Sequence, residues 1–276
     1  MKARLLSWYL QNYYKSCRFV KKKVRYFIEI AFDGSHYHGW QKQKNGVSVQ
    51  AVLEEKMSLK LKKQIDLVGC GRTDTGVHAH QFFAHFDFDS ELQLADTVGV
   101  LNRFMPKDIA VLGLSLMSDN AHARFSAVER TYKYYIQAVK SPFALAYSYD
   151  YFLSLDIDSM NAACNKLLSI TDFSSFSKLH GGQKNNICHL STCYWSKVGH
   201  QLIFTISANR FTRNMVRAIV GTMLEIGKGK LSLNDFERII DSKNRCLAGE
   251  SVAARGLFLE KIVYPEELFI RSFRLY

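Results

Sequence analysis

Segments whose apolar residues recur at every second position alternate along this chain with segments whose apolar residues fall on one helical stripe. That alternation restricts it to a mixed α and β architecture. VRYFIEIAF (24–32) places Val24, Tyr26, Ile28 and Ile30 on one strand face and ends at the turn pair Asp33-Gly34. SVQAVLEEKMSLKLKK (48–63) then gives a helix capped by Ser48, with Val49, Val52, Leu53 and Met57 on its stripe. QFFAHFDF (81–88) is again a strand, alternating Phe82, Ala84, Phe86 and Phe88 against Gln81, Phe83, His85 and Asp87.

The pattern continues with a helix near 95–103 before Pro106, a strand over 131–139 and a helix over 158–169. TCYWSKV and QLIFTISA read as a hairpin turning at Gly199-His200, and the chain then enters FTRNMVRAIVGTMLEIG (211–227). There Met215, Val216, Ile219, Val220 and Met223 form the stripe and Gly227 is placed to end the helix. SLND (232–235) has the form of a capping box, and GLFLEKIVY (256–264) is a closing strand. Hairpin signals favour a mixed, largely antiparallel sheet over a doubly wound parallel one, so the expected class is α+β with two α/β lobes. The division expected is residues 1–23 as a basic extension, 24–115 as the first lobe and 116–276 as the second.

Lys and Arg outnumber Asp and Glu by 37 to 25 in the 276 residues, a net charge of +12 that makes a polyanion the first partner to consider. No run of about 18 apolar residues is present to span a bilayer. The six cysteines are scattered without CxxC spacing, which suits a reducing cytoplasm.

Between the helix of 48–63 and the strand of 81–88 lies GCGRTDTGVHAH (69–80), where a single carboxylate, Asp74, sits among glycines. A glycine-rich turn lets the backbone adopt positive φ or lets a ligand come close. A lone carboxylate is a nucleophile or a base, and one that must stay ionised calls for a cation within about 4 to 6 Å. The same stretch suggests a rival reading: His78 and His80 point to one side of a strand, with His36, His38 and His85 also available, as a metal hydrolase would need. No HExxH accompanies them. A third reading, a non-catalytic RNA-binding module, rests on the basic charge and on aromatic strands such as Tyr132, Tyr134 and Tyr135.

GRTDTGVHA (71–79) resembles the signature of the tRNA pseudouridine synthases of the TruA type. Other blocks similar to that family follow in its order: FDGSHYHGWQKQ, VQAVLEEKM, LNRFMPKDIAV, HARFSAVERTYKYYI, DFSSF, FTRNMVRAIVGTMLEIG and ARGLFL. They span residues 24–265. Cys70, Thr75 and Met105 depart from the residues common there, and residues 1–23 have no counterpart.

The resemblance implies the pseudouridine synthase fold with a central RNA-binding cleft. It also implies isomerisation of uridine to pseudouridine at positions 38 to 40 of the tRNA anticodon stem-loop, without cofactor or metal, by a homodimer. By the same resemblance Asp74 is catalytic, Arg217 is its cationic partner and Tyr132 stacks on the target uracil and assists proton transfer. Leu257 packs beneath the base, and Arg72 enters the stem in place of the flipped nucleotide. Lys22, Lys23, Arg213, Lys228 and Lys230 are candidates for phosphate contact.

Overall fold

The computed structural model describes residues 23–178 and 185–276; the expected extension, Lys23 apart, lies outside them, as does Lys22. The described chain runs β1 (Val24–Phe32), α1 (Val49–Leu61), β2 (Val68–Gly69), β3 (His78–Phe88), α2 (Leu94–Phe104), β4 (Ile109–Met117), β5 (Glu129–Gln137), β6 (Tyr149–Asp150) and α3 (Ile157–Leu168). It continues with β7 (Leu190–Val198), β8 (Gln201–Ala208), α4 (Met215–Gly227), α5 (Leu233–Ser242), β9 (Leu257–Val263) and β10 (Phe269–Arg274). The strands form one sheet in the order β10-β4-β1-β3-β9-β5-β8-β7, with β2 against β3 and β6 against β5. Pairing is antiparallel except at β5–β6 and at β3–β9, where His78 meets Phe258 and Ala79 meets Leu259. The largely antiparallel mixed sheet expected from the hairpin signals is therefore present. No described helix is long and apolar enough to cross a membrane.

Apolar side chains collect into two cores, one on each side of the β3–β9 seam. One gathers Tyr26, Val49, Leu53, Phe82 and Phe86, and the other Tyr134, Met160, Trp195, Phe204, Ile219 and Phe236; Tyr132 packs against both. The caps explain where helices begin. Ser48 accepts from Ala51 N–H, Asp156 accepts from Ser159 N–H, and Ser232 and Asp235 form both arms of the expected capping box.

Two local expectations are corrected and one is refined. On α1, Val52 is only half-buried while Gln50 and Glu54 are buried, because Gln50 donates to the Leu67 carbonyl and Glu54 accepts from Leu67 N–H. α4 ends at Gly227 as expected, although the positive φ falls two residues later at Gly229; Gly227 also allows close approach, since a Cβ there would lie 2.5 Å from Met160 Sδ. The last strand, FIRSFR, returns to pair with β4 and carries arginines, and Arg274 reaches Glu29 at 2.7 Å. Charge on an edge strand discourages pairing with another chain, and it also hides the strand from a reading based on apolar alternation.

β3 buries His85, whose Nδ1 accepts from Ala123 N–H at 3.1 Å. Burial, helped by the positive charge of Arg25, pushes the imidazole down to about 4 from 6.5. Between those values an unfolded chain takes up a proton that the folded one refuses, so stability falls as pH is lowered through 6.5 towards 4. At about 1.36 kcal/mol per unit the loss is of order 3 kcal/mol. Urea unfolding at pH 7 and pH 5 should show His85→Gln losing less stability than the wild type over that interval; equal losses would refute the assignment.

Candidate active site

The loop before β3 is gripped from two sides. Cys70 N–H donates to Phe83 O, and Thr73 Oγ1 accepts from Trp40 N–H at 3.0 Å. Gly39, at φ +79, brings its backbone so close to Thr73 O that a Cβ would lie 2.2 Å away. Val77 N–H donates to Asp74 O across a turn in which Gly76 takes φ +76, the conformation that glycine adopts without strain. The Asp74 side chain is thus presented from a rigid backbone directly at the seam between the two halves of the sheet.

Asp74 opens into a cleft of about 510 Å³ lined by Thr75, Lys178, Arg213, Asn214, Arg217 and Arg245. Its Oδ2 lies 3.6 Å from an Arg217 terminal nitrogen and its Oδ1 3.6 Å from Arg213 Nε. These distances are ion pairs too long for hydrogen bonds, so the carboxylate is neutralised without being locked and its oxygens stay available. Arg217, in the first turn of α4, is itself fixed by donating from Nε to Val252 O at 2.7 Å. Asn214, the residue before α4, takes φ 65, a conformation that asparagine tolerates, and its side chain donates to Ser251 Oγ. Arg245 binds Ser251 Oγ and the Ala248 carbonyl.

Arg130 holds the neighbourhood together. Its guanidinium donates to the carbonyls of Cys70, Arg124, Ala127 and Asn209, joining the Asp74 loop, the β4–β5 connection and the start of the segment that leads into α4. Four carbonyls on one always-charged fork fix three loops at once.

Of the residues singled out in the sequence, Asp74 and Arg217 share the cleft lining, and Tyr132, Leu257 and Arg72 lie outside it. Tyr132 sits edge-on to Phe211 at 5.1 Å, and burial raises its phenol well above the usual range, the Cys70 and Asp74 charges adding to the effect. Like any phenol it is protonated at neutral pH, and burial makes it a weaker acid that can serve as a hydrogen-bond donor. Leu257 is buried in the second core, and Tyr134 beside it is a core residue whose hydroxyl donates to Ala253 O. Arg72 is exposed. Arg213, expected at a phosphate, faces Asp74, while Lys228 and Lys230 both turn to Glu225. Lys178 and Arg245 were not foreseen, since nothing local in the sequence distinguishes either from a solvated cation.

The histidines of the metal reading serve separate partners. His78 Nδ1 accepts from Gly34 N–H at 3.1 Å and lies 3.0 Å from Asp33, whereas His80 pairs with Glu260. Both rings rest on Phe258, in a second cleft of about 480 Å³. Phe258 alternates with Leu257 and Leu259 along β9, which puts that cleft on the face of the sheet away from Tyr132, the cross-strand partner of Leu259. Among the described residues no three His, Cys, Asp or Glu side chains are grouped to hold a metal ion.

Residues 163–265 match the model of a family described as tRNA pseudouridine synthase. The chain is 49% identical over 247 residues to tRNA pseudouridine synthase A of Bacteroides fragilis, which covers 89% of this chain and 98% of the relative. The chain belongs to this family. More distant members of the family resemble it too: tRNA pseudouridine synthase A 2 of Clostridium perfringens is 35% identical over 239 residues, 86% of this chain and 98% of the relative. Membership extends over both halves of the sheet, from the Asp74 loop to β9, and not only the segment that the family model matches.

Proposed function

We propose that the protein is a tRNA pseudouridine synthase that isomerises uridine at positions 38 to 40 of the anticodon stem-loop. The observation that carries this reading is one carboxylate, Asp74, faced by two guanidiniums in a cleft whose lining holds two further cations, Lys178 and Arg245, and the neutral Thr75 and Asn214. Isomerisation breaks the N1–C1′ bond, turns the uracil and joins C5 to C1′; N1 gains a proton and C5 loses one to solvent. Asp74 attacks C1′, or removes the C2′ proton from a sugar already losing its base. Arg217, fixed by its bond to Val252 O, neutralises the carboxylate without locking it, and Tyr132 stacks on the target uracil and assists proton transfer at the sugar. Arg72 fills the stack that the flipped nucleotide leaves, and Leu257 supports the base.

A homodimer is part of the proposal. It is supported by Phe143, Leu145, Phe152 and Leu153, which are exposed in one short stretch and would be covered by a second copy. Light scattering of the purified chain should give twice the monomer mass, and the monomer mass would refute it.

The activity is tested with tRNA carrying [5-³H]uridine. The wild type should release tritium to water, stoichiometric with the modified positions. Tight binding with no release would replace this reading with a non-catalytic RNA-binding module.

A further inference from the structure

The connection between β4 and β5 holds an aromatic residue out in solvent with unusual firmness. Phe125 is 76% exposed. Its backbone N–H and that of Arg124 both donate to His122 Nδ1, at 3.3 and 3.1 Å. His122 N–H donates to Ser126 Oγ, and Ser126 N–H returns a bond to the His122 carbonyl. The His122 ring lies 4.4 Å from the Phe125 ring on one side and 4.6 Å from the His85 ring on the other. Neighbouring carbonyls are fixed too: Ala121 O accepts from Arg25 and Ala123 O from Tyr264. A single exposed apolar side chain is ordinary. One presented from a turn bonded at almost every residue is preorganised, which lowers the entropy cost of binding something against it.

Place and charge identify the ligand. One terminal nitrogen of Arg130 spans the Cys70 and Arg124 carbonyls, at 3.2 and 2.6 Å, so this turn lies against the loop that carries Arg72 and Asp74. The Arg124 guanidinium sits over the Phe125 ring at 5.6 Å, and Arg72, also exposed, belongs to the loop that Arg130 ties to this turn. A flat π-face flanked by positive charge suits a nucleobase with its phosphate.

We propose that Phe125, backed by His122 and flanked by Arg124, is a stacking platform for an unpaired base of the RNA next to the target uridine. This rests on the function proposed above. A stem-loop overruns the cleft that receives one nucleotide, and this wall is where a neighbouring loop base would come to rest. Phe125 binds and orders the loop and takes no part in bond making.

The test uses the full chain and an anticodon stem-loop RNA carrying 2-aminopurine at successive loop positions. Phe125→Ala should weaken binding about 5- to 150-fold, the range for loss of one base–aromatic stack. Phe125→Leu should do nearly the same, whereas Phe125→Trp restores affinity. Quenching of 2-aminopurine at one position should be lost with Ala and kept with Trp. Tritium release at saturating RNA should keep its kcat while KM rises. Wild-type affinity in Phe125→Ala, full rescue by Leu, or a change from dimer to monomer in the Ala variant would overturn the platform, the last by showing that a second copy covers the ring. If the wild type binds no stem-loop RNA, the functional reading itself fails.

Discussion

Replacing Asp74 with asparagine is expected to abolish tritium release, lowering turnover by on the order of 10⁴ or more, as removal of a catalytic nucleophile does elsewhere. The change keeps size and shape and removes only the charge and the nucleophilic or basic oxygen. It should leave the fold intact, because the turn at this position is made by the Asp74 backbone carbonyl, which accepts from Val77 N–H, and not by its side chain. The side chain's ion pairs, at 3.6 Å with part of the carboxylate in water, add little to stability. RNA affinity should be retained or improved, since a negative charge leaves a cleft lined by Lys178, Arg213, Arg217 and Arg245. Unchanged melting, retained binding and no release together would assign Asp74 to the chemistry. Turnover within tenfold of the wild type would remove it.

Fold class was legible because large apolar residues recur at alternate positions of β1 and β3 and along α4, although the structure buries the centres of β1 and β3 on both faces and all of α4 but Arg217 and Glu225. The reading failed where something other than apolar burial sets the structure. FIRSFR is held at the sheet edge by ladder bonds and by arginine pairs, leaving no stripe to see. Gln50 and Glu54 are buried on α1 because they satisfy the backbone of Leu67, a partner that no local window contains.

The site was legible to a different degree. Composition and spacing drew attention to Asp74, whose turn chemistry is written in consecutive residues, but its pairing with a cation 143 positions later came from family resemblance. Arg245 and Lys178 reach the cleft only through the packing of distant segments. Gly221 shows why such packing is invisible locally: it looks like an interruption of the α4 stripe, yet a Cβ there would lie 1.7 Å from Glu250 O. Glycine at that point lets the 244–252 segment lie on the helix, which brings Arg245 into the cleft and the Val252 carbonyl to Arg217. Arg130 carried the same ambiguity, as one basic residue among 37 whose role depends on four carbonyls from three loops.

Arg217→Ala is expected to lower kcat roughly 10²- to 10³-fold. Two unit charges at this separation interact by about 4 kcal/mol at an effective dielectric near 20, and solvent reduces this because the side chains are 21% and 27% exposed. The pair therefore adds little to the fold, and the loss falls on the reaction: removing one preorganised group that steadies a reacting charge costs about 10²- to 10³-fold in kcat. Arg213, more exposed on the other carboxylate oxygen, compensates in part and keeps the loss below that of Asp74→Asn. Lysine at 217 should rescue poorly: Arg217 donates from Nε to Val252 O while a terminal nitrogen faces Asp74, and a single ammonium cannot serve both directions with the same geometry. A merely structural arginine would instead give a variant with lowered melting temperature, raised KM and nearly normal kcat. The split between kcat and KM, read beside thermal unfolding of Arg217→Ala and Arg217→Lys, separates these cases: retained kcat in the alanine variant would detach Arg217 from the reaction and leave Arg213 as the cation that serves Asp74.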